Sequence, residues 1–367
     1  MDILAQRVAN TLATRPATCR TQSVPMRILI VTDAWSPQIN GVVTTLQNTI
    51  RELSLLGHIV DTITPDGFRT IPCPTYPEIR LSIAAGSRVA KMIEAFMPDA
   101  VHIATEAPLG LAARRYCLRT GRPFTTAYHT QFPEYIHARS RLPVGVMYKW
   151  MRWFHGPAKA VMVGTPDMMQ RLSNRGFRNL AMWSRGVDTT IFRPRPRESL
   201  SAQRPISLYV GRVAIEKNIE SFLMLDLPGT KWVVGDGPAR EKLERRFPAV
   251  RFFGSKTGDD LAWHYSQADV FVFPSRTDTF GLVLIEALAC GTPVAAYPVV
   301  GPIDVIRDPR AGVLSDDLGK AAHAAMRLDR VAARRYGETF SWANATRQFV
   351  ANLHPSKAMQ SVAKAAD

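Results

Sequence analysis

The 367 residues are 46% hydrophobic and 21% charged, with 26 Pro and 23 Gly, an ordinary globular composition that excludes collagenous, low-complexity and largely disordered chains. At about 100–200 residues per domain, the length favours two domains. Forty-six Lys and Arg against 31 Asp and Glu give a formal charge of +15, which asks for an anionic partner: nucleic acid, an anionic membrane or a phosphorylated substrate. Residues 1–200 carry 25 basic and 13 acidic side chains, leaving 21 and 18 for the remainder, so the first half is the electrostatic face. Cys19, Cys73, Cys117 and Cys290 stand far apart with no C-x-x-C pair; this suggests neither a zinc site nor a disulfide framework and reads as a reducing cytosol. No apolar stretch reaches the roughly 20 residues of a spanning helix, so the membrane contact to expect is peripheral.

Residues 1–25 mix Arg7, Arg15 and Arg20 with Ser, Thr and Ala and lack the apolar core of a secretory signal. They read as a disordered extension, with Met26 as a candidate start and a transit peptide as the alternative. From Met26 onward, apolar runs predict strands at 27–32, 59–64, 100–103, 124–128 and 159–163, alternating with helices at 44–56, 88–96 and 109–120. Such alternation implies a parallel sheet, here a doubly wound domain over residues 26–192. The segment 193–205, RPRPRESLSAQRP, sets Pro194, Pro196 and Pro205 among charges and Ser; neither a helix nor a central strand sustains that, so it is the predicted linker. A second series follows, with strands at 206–210, 231–234, 250–253, 270–273 and 294–297 and helices at 219–225, 239–247, 261–267 and 282–290, giving a second Rossmann-like domain over 206–335. Two such sheets leave a cleft between their strand carboxyl ends, where this architecture binds ligands.

Three loops that leave strands carry the chemistry. After the first strand, Asp33-Ala-Trp-Ser-Pro-Gln-Ile-Asn-Gly41 opens a helix. A glycine there lets the backbone approach an anion at the helix N-terminus, and serves equally well as a turn. It is not G-x-G-x-x-G, so the dinucleotide fingerprint fails. Gly211-Arg212-Val-Ala-Ile-Glu-Lys217 leaves the first strand of the second domain, where two cations can hold a diphosphate or remain solvated charges. From Pro274 to Val294 the pattern is loop, helix, turn, strand, with Asp278 in the loop, Gly281 at the helix start and Glu286 eight residues beyond Asp278 on the apolar helix. The two carboxylates can address one ligand, one toward a sugar and the other toward a ribose. A carboxylate on so apolar a helix is otherwise costly.

Taken together, Pro37 to Val42, Arg185-Gly186-Val187-Asp188, Gly211 to Lys217, Gly235-Asp236-Gly237-Pro238 and the carboxylate pair followed by Gly291-Thr292-Pro293-Val294 resemble the family-4 retaining glycosyltransferases of GT-B fold. The resemblance runs from Met26 to about Leu353 and is greatest to bacterial lipid glycosyltransferases similar to sulfoquinovosyl diacylglycerol synthase and to GDP-mannose-dependent mannosyltransferases. One departure is that the first Glu of the family's E-x7-E is Asp278 here. The resemblance implies two Rossmann-like domains facing a cleft, with a C-terminal helix over 336–355 crossing back to the first. It implies transfer of a hexose from a UDP- or GDP-sugar in the second domain to an acceptor on the first, with retention. His129, in Tyr128-His129-Thr130-Gln131, would then contact the donor sugar, as would Asp278. Arg212 and Lys217 would hold the diphosphate, Glu286 the ribose, and Gly41, Gly281 and the segment after Pro302 would supply backbone. With no D-x-D motif a bridging metal is not expected, and the nucleotide sugar is a co-substrate, so no cofactor is implied.

Residues 139–154 interleave Arg139, Arg141, Lys149 and Arg152 with Met147, Tyr148, Trp150, Met151, Trp153 and Phe154. An interfacial segment meets anionic lipid in this way, and an ordinary buried helix fills a core with the same aromatics. The expectation is a cytoplasmic enzyme, peripheral on the inner face of the membrane, whose acceptor is diacylglycerol or a glycolipid. The alternatives are a soluble or polysaccharide-directed mannosyl- or glucosyltransferase and a GT-B sugar-nucleotide epimerase. Nucleic acid is not expected, because no recognised binding motif accompanies the charge.

Overall fold

The structure, a computed structural model, describes residues 24–356 apart from 39, 74–75, 84, 134–142 and 199–201. The predicted extension over 1–25 therefore lies outside the described residues except for its last two, and so do Arg139 and Arg141.

In the first half, β1 (Arg27–Val31), α1 (Gly41–Leu55), β2 (Ile59–Ile63), β3 (Thr70–Cys73), β4 (Tyr76–Ser82), α2 (Gly86–Phe96), β5 (Ala100–Ile103), α3 (Pro108–Thr120), β6 (Thr125–Tyr128), α4 (Val144–His155), β7 (Val161–Val163), α5 (Pro166–Asn174) and β8 (Leu180–Met182) follow one another. Six of the strands form a sheet in the order β2-β1-β5-β6-β7-β8, parallel throughout. β1 is buried because Ile28, Leu29, Ile30 and Val31 meet helices on both faces, as a central parallel strand requires. The β3–β4 pair is a separate antiparallel ribbon. Pro72 argues against a strand inside a larger sheet but is tolerated in a two-stranded ribbon, which is why the pattern hid it.

The second half runs β9 (Ile206–Val210), α6 (Ile219–Leu223), β10 (Thr230–Val234), α7 (Arg240–Arg246), β11 (Arg251–Phe252), α8 (Gly258–Gln267), β12 (Val270–Phe273), α9 (Leu282–Ala289), β13 (Val294–Ala296), α10 (Pro302–Val305), β14 (Gly312–Leu314), α11 (Leu318–Ala325), α12 (Arg330–Gly337) and α13 (Trp342–Asn352). Its parallel sheet has the order β11-β10-β9-β12-β13-β14, so both sheets reverse winding direction beside their first strand. That reversal opens a crevice between β1 and β5 in one sheet and between β9 and β12 in the other. The segment predicted as linker is fastened to α8: Ser266 and Gln267 bond the backbone of Arg193, Arg195, Pro196 and Glu198, and Arg195 pairs with Asp259.

The chain then returns. Gly337 at the end of α12 is pressed against the Leu288–Ala289 backbone of α9, so α12 belongs with the second sheet and the crossing begins after it, two residues later than the predicted 336. At the crossing, Val187 N donates to Phe340 O at 3.2 Å. α13, capped by Ser341, lays Phe349 into the first half's core beside Ile28, Leu46 and Trp183.

Gly186 sits under this strap with room for nothing more: a Cβ there would come within 2.2 Å of Trp342 N and 2.6 Å of Ser341 C. Gly186→Ala must therefore lift the strap, and is expected to cost about 1–3 kcal/mol and to lower the thermal midpoint. An unchanged midpoint would show that the contact does not constrain the crossing.

Candidate active site

The loops after β9 and β12 meet at the crevice of the second sheet. Thr277 Oγ1 donates to Glu216 O at 3.2 Å and Asn218 Nδ2 to Pro274 O at 3.0 Å, which fixes the loops to each other. Lys217 Nζ lies 2.5 Å from Asp278 Oδ1, so two residues read from the sequence as having separate duties form one ion pair. The other carboxylate oxygen, Asp278 Oδ2, is buried with no hydrogen-bond partner among the described residues. Arg212 stands half-buried at the head of the same loop, its carbonyl accepting from Tyr209 Oη at 2.8 Å. Gly281 begins α9 with φ +84°, a left-handed conformation that L side chains rarely adopt, and a Cβ there would press within 3.0 Å of Leu284 Cδ1. Behind it, Tyr265 Oη donates to Glu286 Oε2 at 3.1 Å. Burial pushes the Glu286 carboxyl up to about 7 and the Tyr265 phenol well above its ordinary 10.

The helix N-termini at the two crevices differ in one respect that matters for anions. In the first sheet both are occupied by the protein itself. Asn40 Oδ1 accepts from Val42 N and Val43 N, each at 3.0 Å, and Asp33 takes Leu109 N at 3.0 Å and Gly110 N at 3.3 Å at the start of α3. In the second sheet, α9 follows Gly281 with no side-chain cap; Leu284 N donates to Gly281 O at 3.0 Å, so the amides open to a ligand at this end are those of Leu282 and Val283. At the turn where Gly41 is expected to approach an anion, the Val42 and Val43 amides are spent on Asn40, which leaves the Gly41 backbone itself for that role. Gly41 borders α9, 3.6 Å from Leu282 Cδ1 as measured from the Cβ position it lacks. The segment after Pro302 offers less. α10 is a four-residue helix whose Ile303 and Asp304 amides bond to Val299 O and Gly301 O, and Pro302 has no N–H to offer. The Asp304 side chain instead reaches the other domain, accepting from Asp167 N at 3.0 Å.

His129 follows β6 on the opposite wall. Thr279 Oγ1 donates to His129 O at 2.7 Å, and Gln131 Nε2 to Asp278 O at 3.1 Å, so the candidate residues of the two domains are hydrogen-bonded neighbours. The imidazole stands edge-on to Trp183, with ring centroids 5.5 Å apart. Burial, reinforced by the nearby Arg185, holds it well below 6.5. Arg185 itself was given no duty in the sequence reading; only its place in the Arg-Gly-Val-Asp motif marked it. It is 6% exposed, donates to the carbonyls of Trp183 and Ser184 and, at 3.3 Å, to His129 Nδ1, and has no carboxylate partner among the described residues. His102 is a core histidine: it is fully buried against Thr125, and burial pulls it down to about 3.

α4 buries some of its large side chains and exposes others. Tyr148, Met151, Phe154 and His155 are buried, while Val146, Trp150 and Trp153 are 60%, 37% and 53% exposed beside an exposed Lys149. Arg152 is held against the Arg175 carbonyl at 3.0 Å, and Arg114 stacks on the Trp153 ring at 4.0 Å. Among the described residues no helix is long and apolar enough to cross a membrane.

The raised Glu286 carboxyl has a measurable consequence. Its folded value of about 7 exceeds the ordinary 4.5, so the folded state favours the protonated form. That contribution is complete below about 4.5 and lost as pH rises through about 7. Glu286→Gln, neutral throughout, should gain on the parent protein across that interval by up to about 3 kcal/mol. Denaturation of both proteins at a series of pH values tests this, and a difference independent of pH would contradict the raised value.

Comparison with known proteins accords with this geometry. The family model described as Glycosyltransferase Family 4 matches residues 39–191, and that described as Glycosyl transferases group 1 matches residues 204–330. Over 323 residues the chain is 33% identical to the sulfoquinovosyl transferase of Arabidopsis thaliana, covering 79% of this chain and 63% of that protein, so it spans somewhat less than two thirds of that relative. It is 31% identical over 316 residues to a GDP-mannose-dependent alpha-mannosyltransferase of Mycobacterium tuberculosis, covering 79% and 83%. It is 27% identical to an alpha-monoglucosyldiacylglycerol synthase of Streptococcus pneumoniae, covering 74% and 71%. Among solved structures, sucrose-phosphate synthase from Thermosynechococcus elongatus superposes with a TM-score of 0.67 at 22% identity, over 93% of this chain and 100% of that one. Anabaena HepE, solved with UDP and glucose, gives 0.65 at 17%, over 89% and 98%. The fold is GT-B, and the chain belongs to the family-4, group-1 glycosyltransferases.

Proposed function

We propose that the protein transfers a hexose from a UDP- or GDP-sugar to a membrane lipid such as diacylglycerol or a glycolipid, with retention of configuration and without a metal ion. The observation that carries the reading is the contrast between the helix N-termini: those at the first sheet's crevice are capped from within, while α9, beside Arg212 and the Lys217–Asp278 pair, has no side-chain cap. Negative charge grows on the departing nucleoside diphosphate as the glycosidic bond breaks. Fixed cations and helix amides aimed at that charge lower the barrier, which is the work this reading gives to Arg212, Lys217 and α9. Asp278 Oδ2, buried and without a hydrogen-bond partner among the described residues, is assigned as acceptor for a hydroxyl of the donor sugar, and Glu286 is assigned to the ribose. With these cations at the diphosphate the reading needs no metal. Retention follows the family, by attack of the acceptor on the face the leaving group vacates.

The lipid acceptor rests on α4, whose outward stripe of Val146, Lys149, Trp150 and Trp153 suits the boundary of an anionic bilayer, and on the names of the relatives, one of them a diacylglycerol glucosyltransferase. The protein would then work from the cytoplasmic side as a peripheral enzyme.

Incubation with diacylglycerol in anionic vesicles and a panel of UDP- and GDP-sugars should yield a glycolipid from one donor, with release of the nucleoside diphosphate. Arg212→Ala should lower turnover by about 10²–10³-fold. Donor hydrolysis without a lipid product would move the acceptor to a carbohydrate, and undiminished turnover in the variant would remove Arg212 from the mechanism.

A further inference from the structure

We propose that Arg185 fixes the protonation of His129, holding its ring neutral with the single proton on Nε2, so that His129 meets a sugar oxygen as a hydrogen-bond donor and not as a proton-accepting base. This rests on the reading that places His129 in the transferase site.

The argument begins with donors and acceptors. A guanidinium has five N–H groups and nothing that accepts, so the 3.3 Å contact from Arg185 Nη2 to His129 Nδ1 requires a lone pair on Nδ1. An imidazolium would set N–H against N–H and place two positive charges in contact within a buried wall. Of the two neutral tautomers, only the one protonated at Nε2 leaves Nδ1 free to accept. That Nε2 is buried and has no hydrogen-bond partner among the described residues, so the donor it carries is open to a ligand.

The surroundings all act in the same direction. From β5, His102 lies fully buried. From α4, His155 turns its Nε2 to Glu106 at 3.1 Å, which engages the nearby carboxylate. Burial first, and then the fixed charge of Arg185, disfavour a charged His129. Across the cleft, Thr279 bonds the His129 carbonyl and not the ring, and Asp278 turns one carboxylate oxygen to Lys217. Arg185 remains a cation at neutral pH even though burial pulls it down to about 9. The Trp183 face 4.4 Å beneath it and the two carbonyls on Nη1 hold the guanidinium in place. Burying a charge without a counter-ion is expensive, and a purely structural role would be filled more cheaply by a neutral side chain. Arg185 is therefore a positioning residue, acting through His129.

The tautomer can be read directly by nitrogen-15 NMR of histidine-labelled full-length protein, with His129 assigned by the loss of its signal in His129→Gln. In the parent protein Nδ1 should be unprotonated, Nε2 protonated, and the ring should not titrate between about pH 5 and 8. In Arg185→Met, titration should move up toward the ordinary value, and kcat/KM should acquire a pH step that the parent lacks; Arg185→Lys, which keeps a charged donor, should largely suppress both. A proton on Nδ1 in the parent, or unchanged titration in a folded Arg185→Met, overturns the proposal. The parent spectrum decides the matter even if that variant fails to fold. Because the spectrum needs no substrate, a locked tautomer without sugar transfer would refute only the functional reading, and transfer with an unlocked His129 would refute only this one.

Discussion

Two hydrogen bonds between the turn at 129–131 and the turn at 278–279 set the carboxyl ends of two independent sheets against each other. Each sheet alone would end in loops of little consequence. Joined, they place an imidazole from one domain beside a carboxylate, two cations and an open helix terminus from the other. The bonds run from side chains to carbonyls, so they specify the position of backbone and leave the Asp278 carboxylate and the His129 ring free for other work. The α13 strap and the contact from Asp167 N to Asp304 bear on the same arrangement from its flanks, which restrains the domains at more than one place without closing the cleft.

A doubly wound sheet offers helix N-termini to anions wherever its winding reverses, and this chain contains two such places. It closes one with its own polar side chains. Asp33 spends a carboxylate there, buried deeply enough that its carboxyl is pushed up to about 6 while accepting from Thr105 and two amides. A similar arrangement in the second sheet would occupy the amides that the proposed reading gives to the donor. Leaving α9 without a side-chain cap forgoes about 1 kcal/mol of helix stability, a cost that an anion bound as proposed would offset.

The sheets were legible in the sequence because their central strands are continuous apolar runs: β1, β5, β9 and β12 begin and end within a residue or two of the predicted positions. β8 and β14 were not, since three residues of intermediate or mixed burial carry no period. Of the candidate site, the sequence offered the loops, while the contacts between them and the place of Arg185 were not legible. Lys217 and Asp278 lie 61 positions apart and Arg185 and His129 lie 56 apart, and nothing local announces either pair. The cap beside Gly41 was passed over for a different reason. Asn40 directly before a helix is itself a cap by residue type, so that signal was present and was outweighed by the glycine beside it.

α4 shows why composition could not choose between a core and an interface. A helix with large side chains on both faces presents the same residue list in either role; only the phase of burial separates them. Tyr148, Met151 and Phe154 share one stripe, and Val146, Lys149, Trp150 and Trp153 share the other. The inner stripe docks the helix against the sheet that carries His129, and His155 at its end bonds Thr126 of β6 at 2.9 Å. A surface that engaged the outer stripe would therefore bear on a helix hydrogen-bonded to β6, the strand that His129 follows, and under the proposed lipid acceptor the same helix would meet the membrane and set the position of that strand.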